Sequence, residues 1–281
     1  MNQAVDLYCV LGNPIAHSLS PAIHARFAEL TGERIRYERR LAPVDGFAQG
    51  LRDFAAQGGR GCNVTVPFKI EAARCAARCS GRVQLAGAAN TLSLHADGSV
   101  HADNTDGLGL VADITRNAGV PLAGCDLLLL GAGGAAAGAL GPLLHAGARR
   151  ITLANRTLAR AEALVQAHSA LAAQRKTELK AQTLLLPDAA SFDIVINATA
   201  SSLAGADAPV PASVLRPGSL AYDMMYGPAA QGFLDWASRH GATPRDGLGM
   251  LVEQAAEAFL LWRGVRPPSA RVLAEMQAQP G

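Results

Sequence analysis

The sequence predicts an α/β chain of two domains, and three observations carry the prediction. Short apolar runs alternate with segments of helical period along nearly all of the 281 residues. One such run, Asp126 to Leu130, opens into a glycine-rich turn and a helix of small residues, the pattern of a doubly wound parallel sheet. Ahead of it, β/α alternation closed by a hairpin at Asp97-Gly98 makes a first domain of about a hundred residues.

Bulk properties narrow the function classes. Hydrophobic residues are 49% of the chain, enough for two cores. Net charge is +2 and basic runs do not exceed pairs such as Arg39-Arg40 and Arg149-Arg150, which argues against nucleic acid or a membrane surface as partner. No apolar run reaches membrane-spanning length, and Met1 to Val10 lacks a basic start and a long apolar stretch, so the expected location is cytoplasmic. The five cysteines are an odd number; Cys75 and Cys79 could share a helix face, but no His or Cys pair completes a zinc pattern. Free thiols in a reducing compartment and no metal are expected.

In chain order, Leu7 to Gly12 reads as a strand ending in the loop Gly12-Asn13-Pro14, and a helix starts near Pro21 with Ser20 as its cap. Ser18 and Ser20 thereby lie at a helix amino terminus, suited to an anion such as a carboxylate, although by itself the stretch reads first as Ser20 capping the helix. His17 reads as a loop-packing residue. Ile35 to Leu41 is a second strand and Phe47 to Gln57 a helix closed by Gly58-Gly59. Asn63-Val64-Thr65-Val66-Pro67-Phe68-Lys69 alternates apolar and polar residues as a buried strand whose pairing stops near Pro67. That alternation sets Asn63, Thr65 and Lys69 on one side, at the carboxyl end of a strand, where an amide, a hydroxyl and an ammonium suit a hydroxyl-rich small molecule. An ordinary strand end with a solvated lysine is the competing reading. Ile70 to Arg78 has a helical pattern. Ala86 to Leu92 is a glycine-containing turn entering a strand, the hairpin returns into Asp103-Asn104-Thr105-Asp106-Gly107, and a helix runs from about Gly107 to Asn117.

The second domain begins at Cys125. Gly131-Ala132-Gly133-Gly134-Ala135-Ala136 is a G-x-G-x-x-A fingerprint between the Asp126–Leu130 strand and a helix reaching His145, with the next strand at Arg150 to Ala154. Gly131 permits the tight turn, Gly133 admits a pyrophosphate to the backbone, and Ala136 allows close helix–strand packing. At the end of the next strand an NAD site usually carries an acid. Here Asn155-Arg156-Thr157, with Arg160, offers guanidiniums for a 2′-phosphate, so NADP is the expected cofactor. Ala161 to Lys180 reads as a helix, Phe192 to Asn197 as a strand running into Ala198 to Ser202, Leu220 to Asp223 as a further strand, and Phe233 to Arg239 as a helix. The last long helix follows Asp246-Gly247-Leu248-Gly249-Met250, with Leu248, Leu251, Val252, Ala255, Phe259 and Trp262 on one face. Gln254 lies beside that face, either turned inward or solvated. A short helix follows Pro267.

Taken together, these stretches resemble the shikimate dehydrogenase family over nearly the whole chain. The matching segments are Gly12-Asn13-Pro14 with Ser18 to Pro21, Asn63 to Lys69, Gly87 to Thr91, Asp103 to Gly107, Gly131 to Ala135, Asn155 to Thr157, Tyr222-Asp223-Met224 and Asp246 to Met250. The resemblance implies a substrate-binding and catalytic domain at 1–106 completed by 248–281, and a Rossmann-type NADP domain at 107–247. It implies NADPH-dependent reduction of 3-dehydroshikimate to shikimate, on the route to chorismate and the aromatic amino acids. Residue by residue it assigns Ser18, Ser20 and Tyr226 to the substrate carboxylate. Asn63, Thr65, Asn90, Asp106 and Gln254 take the ring hydroxyls, and Lys69 and Asp106 form the catalytic pair. Cofactor contacts fall on Gly131, Ala132, Gly133, Gly134, Ala135, Asn155, Arg156, Thr157, Arg160, Thr199, Met224, Gly247 and Met250. Departures are Ala137, where many members have Arg, Gly81, where an acid is frequent, and Ala200, where Ser is frequent.

The chemistry needs those residue types. Hydride addition to a ketone leaves an alkoxide, which an ammonium can stabilise and protonate. The partner is therefore a small-molecule substrate, with the protein a monomer or homodimer. The competing readings are a quinate/shikimate dehydrogenase paralogue, a folate-linked dehydrogenase, to which the Asn-Arg-Thr and Asp-Gly-Leu-Gly-Met stretches are poorly suited, and a non-catalytic shikimate sensor, whose mark would be loss of Lys69 or Asp106.

Overall fold

Two six-stranded sheets organise the chain, in a computed structural model that describes residues 5–186, 191–199 and 208–278. Residues up to 109 together with those from 251 onward form one compact unit, and residues 110–250 form the other.

The first unit contains β1 (Asp6–Gly12), α1 (Ser20–Thr31), β2 (Ile35–Leu41), α2 (Phe47–Ala56), β3 (Gly59–Val64), α3 (Lys69–Cys75), β4 (Arg78–Cys79), α4 (Gly81–Ala86), β5 (Thr91–Leu94) and β6 (Val100–Asp103). Strand order is β2-β1-β3-β5-β6-β4. β1 pairs in parallel with β2 and β3, while β5 runs antiparallel to both β3 and β6. The hairpin turns at Gly98, whose φ of 81° only glycine adopts freely. One core of Leu7, Cys9, Leu11, Phe47, Phe54, Val64, Phe68 and Leu92 fills the space between β1, β3, β5 and the helices α2 and α3.

Next come α5 (Asp106–Ala112), which continues into a single wide π-helical turn over Asp113–Asn117, then β7 (Asp126–Leu130), α6 (Gly134–His145), β8 (Arg150–Ala154), α7 (Leu158–Arg175), β9 (Glu178–Gln182), β10 (Phe192–Asn197), β11 (Leu215–Asp223), α8 (Gln231–Arg239) and β12 (Thr243–Arg245). This sheet is parallel throughout, in the order β12-β11-β10-β7-β8-β9. Numbered within the unit, that is the doubly wound dinucleotide-binding order read from one edge. Because such a sheet is covered on both faces, β7 is buried at every position. Two helices follow, α9 (Leu248–Arg263) and α10 (Ser269–Gln277). In the first unit α9 seats Trp262 on β5, its indole donating to the Leu92 carbonyl at 3.1 Å, and Arg263 reaches Asp6 and Glu33.

Several local expectations need correction. β3 ends at Val64 and residues 65–68 form a turn, so Thr65 and Lys69 do not share a strand face with Asn63. The alternation misled because two different burials imitate it. Val64 is core strand, Phe68 is tucked under the turn, and Val66 between them is 59% exposed. Lys69 opens α3, which stops at Cys75; Cys79 is on β4, so Cys75 and Cys79 share no helix. Ser20 is inside α1 rather than its cap; the Ser18 hydroxyl accepts from the Ser20 amide at 3.3 Å. The helix expected to reach Lys180 ends at Arg175, where Lys176 takes a left-handed φ of 57° with no glycine to announce it, and β9 follows. The π-helical turn had no sequence signal.

Candidate active site

The first unit gathers its polar side chains at one end of its sheet. Thr91 pairs with Asn63 on one side and Asp103 on the other, so the start of β5, the end of β3 and the exit of β6 meet there. Asn90 is the hub. Its amide nitrogen faces Asp106 Oδ1 at 2.8 Å, Thr105 Oγ1 at 3.0 Å and Gln254 Oε1 at 3.2 Å. Its oxygen accepts from the Thr105 amide and the Thr91 hydroxyl, each at 2.8 Å. Asn63 donates to the Asn90 carbonyl at 3.2 Å and to Thr91 Oγ1 at 3.1 Å. All of these groups are buried, and a buried network in which every member has a partner fixes one geometry.

Lys69 closes the network on its open side. Its Nζ lies 2.5 Å from Asp106 Oδ2, while the other oxygen of the same carboxylate takes Asn90. The lysine side chain keeps 20% of its surface and the aspartate 9%. Asp106 can therefore hold the ammonium in place, and Lys69 retains donors free to turn toward a ligand. Gln254 is buried rather than solvated, with its nitrogen donating to the Leu251 carbonyl at 2.8 Å. Ser18 and Ser20 lie at the start of α1, where Arg39 of β2 donates twice to the Ser18 carbonyl. Thr65 is fixed through its backbone, which donates to the Leu11 carbonyl at 2.9 Å, and its side chain is half-buried. His17 is exposed.

The second unit presents the glycine turn at the carboxyl end of β7. Gly131 has φ 101°, and a Cβ there would press on the Ala198 carbonyl. Gly133 and Gly134 differ: neither has a left-handed φ, and a Cβ on either would meet nothing of the protein. The fold does not demand glycine at these two positions, and the bare backbone leaves room for a group that approaches from outside, as a pyrophosphate does. Ala132 and Ala135 flank that approach. Beyond β8, Asn155 donates to the Thr157 carbonyl at 2.8 Å. Arg156 and Arg160 are exposed, and their side chains form no ion pair among the described residues. That donor set suits a phosphate on a ribose. Thr199 donates to Asn197 Oδ1 at 2.7 Å; residues 200–202, including the Ala200 departure, lie outside the described residues.

The Asp246–Met250 segment gains its glycines from packing. Gly247 lies against the Met224 carbonyl, and Gly249 lies against the carboxylate of Asp113. Asp113, fully buried in the π-helical turn, is held by Arg245 at 2.6 and 2.8 Å, by the Tyr222 hydroxyl at 2.8 Å and by Asn117 at 2.9 Å. Met250 is buried in the core beside that cluster. Tyr226 follows β11 and is half-buried, which raises its phenol above the usual range. Sequence reasoning missed Thr105, Tyr37, Asp113 and Arg245 as parts of these arrangements. Only Thr105, inside the polar run Asp103 to Asp106, carried a local signal.

Three family descriptions match the chain: a shikimate dehydrogenase substrate binding domain over residues 10–92, shikimate / quinate 5-dehydrogenase over 113–207, and a shikimate 5'-dehydrogenase C-terminal domain over 247–277. A protein of Verminephrobacter eiseniae named shikimate dehydrogenase (NADP(+)) is 83% identical over 99% of this chain and 96% of its own length. One of the same name from an Acidovorax species is 73% identical over 99% of this chain and 98% of its own. Among solved structures, the Ael1 enzyme from Pseudomonas putida has a TM-score of 0.88 at 44% identity, covering 96% of this chain and 97% of that one. Shikimate 5-dehydrogenase from Thermus thermophilus, in complex with NADP(H) and shikimate, has a TM-score of 0.83 at 31% identity, covering 97% and 99%.

Proposed function

Because the chain belongs to the shikimate dehydrogenase family, we propose that it catalyses the reversible, NADPH-dependent reduction of 3-dehydroshikimate to shikimate. The observation that carries this reading is the Lys69–Asp106 pair at the open side of a network of amides and hydroxyls. An ammonium beside a ketone oxygen stabilises the negative charge that develops there and passes a proton to it; in reverse, neutral lysine takes the alcohol proton. Asp106 orients the lysine with one carboxylate oxygen and is itself oriented by Asn90 through the other. Asn63, Thr65, Asn90 and Gln254 supply the short, fixed donors and acceptors that ring hydroxyls require. Ser18 and Ser20 would take the carboxylate.

NADP bound at the glycine turn would supply or accept the hydride. Gly133 and Gly134 leave the backbone open to its pyrophosphate, and Asn155, Arg156, Thr157 and Arg160 would hold its 2′-phosphate. Thr199, Met224, Gly247 and Met250 would border the remainder. The five thiols are all unpaired, which supports a reducing, cytoplasmic setting, and no helix among the described residues is long and apolar enough to cross a membrane.

The test is the initial rate of reduced-cofactor formation from shikimate and NADP, with quinate and NAD substituted in parallel. A high rate with shikimate and NADP alone is expected. Preference for quinate or for NAD would overturn the substrate or the cofactor assignment, and binding of shikimate without turnover would leave a sensor in place of an enzyme.

A further inference from the structure

Asn63 is surrounded on three sides before any ligand arrives. Both hydrogens of its amide are taken inside the protein, by the Asn90 carbonyl and by Thr91 Oγ1. Its oxygen accepts one bond, from the hydroxyl of Tyr37 at 2.7 Å. A carbonyl oxygen has two lone pairs, so the one valence left to Asn63 is an acceptor. Rotating the amide by half a turn would set its oxygen against the Asn90 carbonyl, acceptor against acceptor, and would force the phenol to turn from donor to acceptor.

Tyr37 is well placed to enforce this. It sits on β2, two strands from β3, and its ring stacks on His24 of α1 with centroids 4.1 Å apart and planes 4° from parallel. His24 is fully buried against Phe27, Phe259 and Trp262, so the stack is held from behind. Burial raises the phenol well above its ordinary range, which keeps the hydroxyl a proton donor.

We infer that Tyr37 is a positioning and specificity-determining residue, which holds Asn63 so that it meets the ligand as a hydrogen-bond acceptor and selects a ring hydroxyl that donates to it. The inference rests on the proposed reaction, since it names what one of that site's residues asks of its substrate. It assigns Tyr37 no contact with reacting atoms.

The experiment is a double-mutant cycle of Y37F and N63A, reading shikimate affinity by calorimetry together with KM and kcat, with Trp262 emission as the check that the first unit is folded. Loss of one hydrogen bond to a site amide corresponds to about a tenfold change. Y37F is expected to raise Kd and KM for shikimate about tenfold with kcat changed less than about twofold. In the N63A background the same substitution is expected to change Kd less than about twofold, since the residue it acts through is gone. A Y37F protein with parental Kd overturns the inference, as does the same tenfold loss in both backgrounds, which would mark a role independent of Asn63. A parent that fails to bind shikimate overturns the functional reading and this inference with it, whereas a parent that binds while Y37F is unaffected overturns the inference alone.

Discussion

Protonation of His24 should open the first unit at acid pH. Its imidazole is fully buried, both ring nitrogens lack hydrogen-bond partners, and its neighbours are Tyr37, Phe27, Phe259 and Trp262. Burial lowers its pKa from 6.5 to about 3, against a smaller opposing influence of Asn63. The folded state therefore holds the neutral ring, and the unfolded state binds the extra proton between those two values. Stability is full above about pH 6.5, declines as pH falls below it, and the whole contribution is gone near pH 3. At about 1.4 kcal/mol per unit, the roughly 1.5 units between 6.5 and pH 5 cost about 2 kcal/mol, and the full displacement about 5 kcal/mol. The assay is urea unfolding of the parent and of His24→Leu at pH 7.5 and pH 5, both in a Trp236→Phe background so that Trp262 alone reports. Carboxylates such as Asp6 and Glu275, whose pKa values are lowered chiefly by Arg263 and Arg26 respectively, also lose stability in acid, but equally in both proteins. The parent should lose about 2 kcal/mol more than the leucine variant between the two pH values. Parallel losses would refute the reasoning, because they would mean that His24 is charged in the folded protein or solvated at little cost.

Other substitutions probe the remaining assignments. Lys69→Ala should lower kcat by at least about a hundredfold while KM for shikimate changes only a few-fold, because its proton is needed in the transition state; steady-state kinetics showing the reverse split would remove it from the reaction. Arg156→Gln should raise KM for NADP by roughly 10- to 100-fold and leave KM for NAD unchanged, the worth of one charge-assisted bond to a phosphate. Equal shifts with both cofactors would count against a 2′-phosphate contact. Gly249→Ala should cost about 1–3 kcal/mol in thermal or urea unfolding, since its methyl would overlap the buried Asp113 carboxylate. Gly81→Ala, with open space around it, should stay within about 0.5 kcal/mol.

What the sequence disclosed follows from how local each signal is. The glycine turn, the β7 and β8 strands and the α6 helix are contiguous, and their order and periodicity alone predict them. Gly133 and Gly134 drew notice for the same reason: the fingerprint that contains them is one short stretch. The Asn63 to Lys69 stretch was misread as a strand along its whole length, because a period-2 pattern cannot separate a core strand from a turn that buries a phenylalanine. Tyr37 and Asp113 were invisible. The first sits in a strand otherwise dominated by arginine and glutamate, and its partner is 26 residues away. Asp113 reads as an ordinary helical aspartate until Arg245, 132 residues later, folds back on it. β9 escaped because a lysine, not a glycine, takes the left-handed position that ends α7.

The first unit is discontinuous, and that gives the chain a timetable. Translation delivers the whole of residues 110–250, a complete parallel sheet, before the rest of α9 is made. Until then Gly61 of β3 lacks the indole of Trp262 that lies against it, and the ring of His24 lacks Phe259 and Trp262. Asn90 likewise waits for Gln254. The later-made sheet can therefore mature first, while the earlier-made one waits with an apolar face uncovered, so this nascent chain should need a chaperone most at its oldest end. Ribosome-bound chains stopped after Met250 should show protease resistance in the second unit and cleavage in the first.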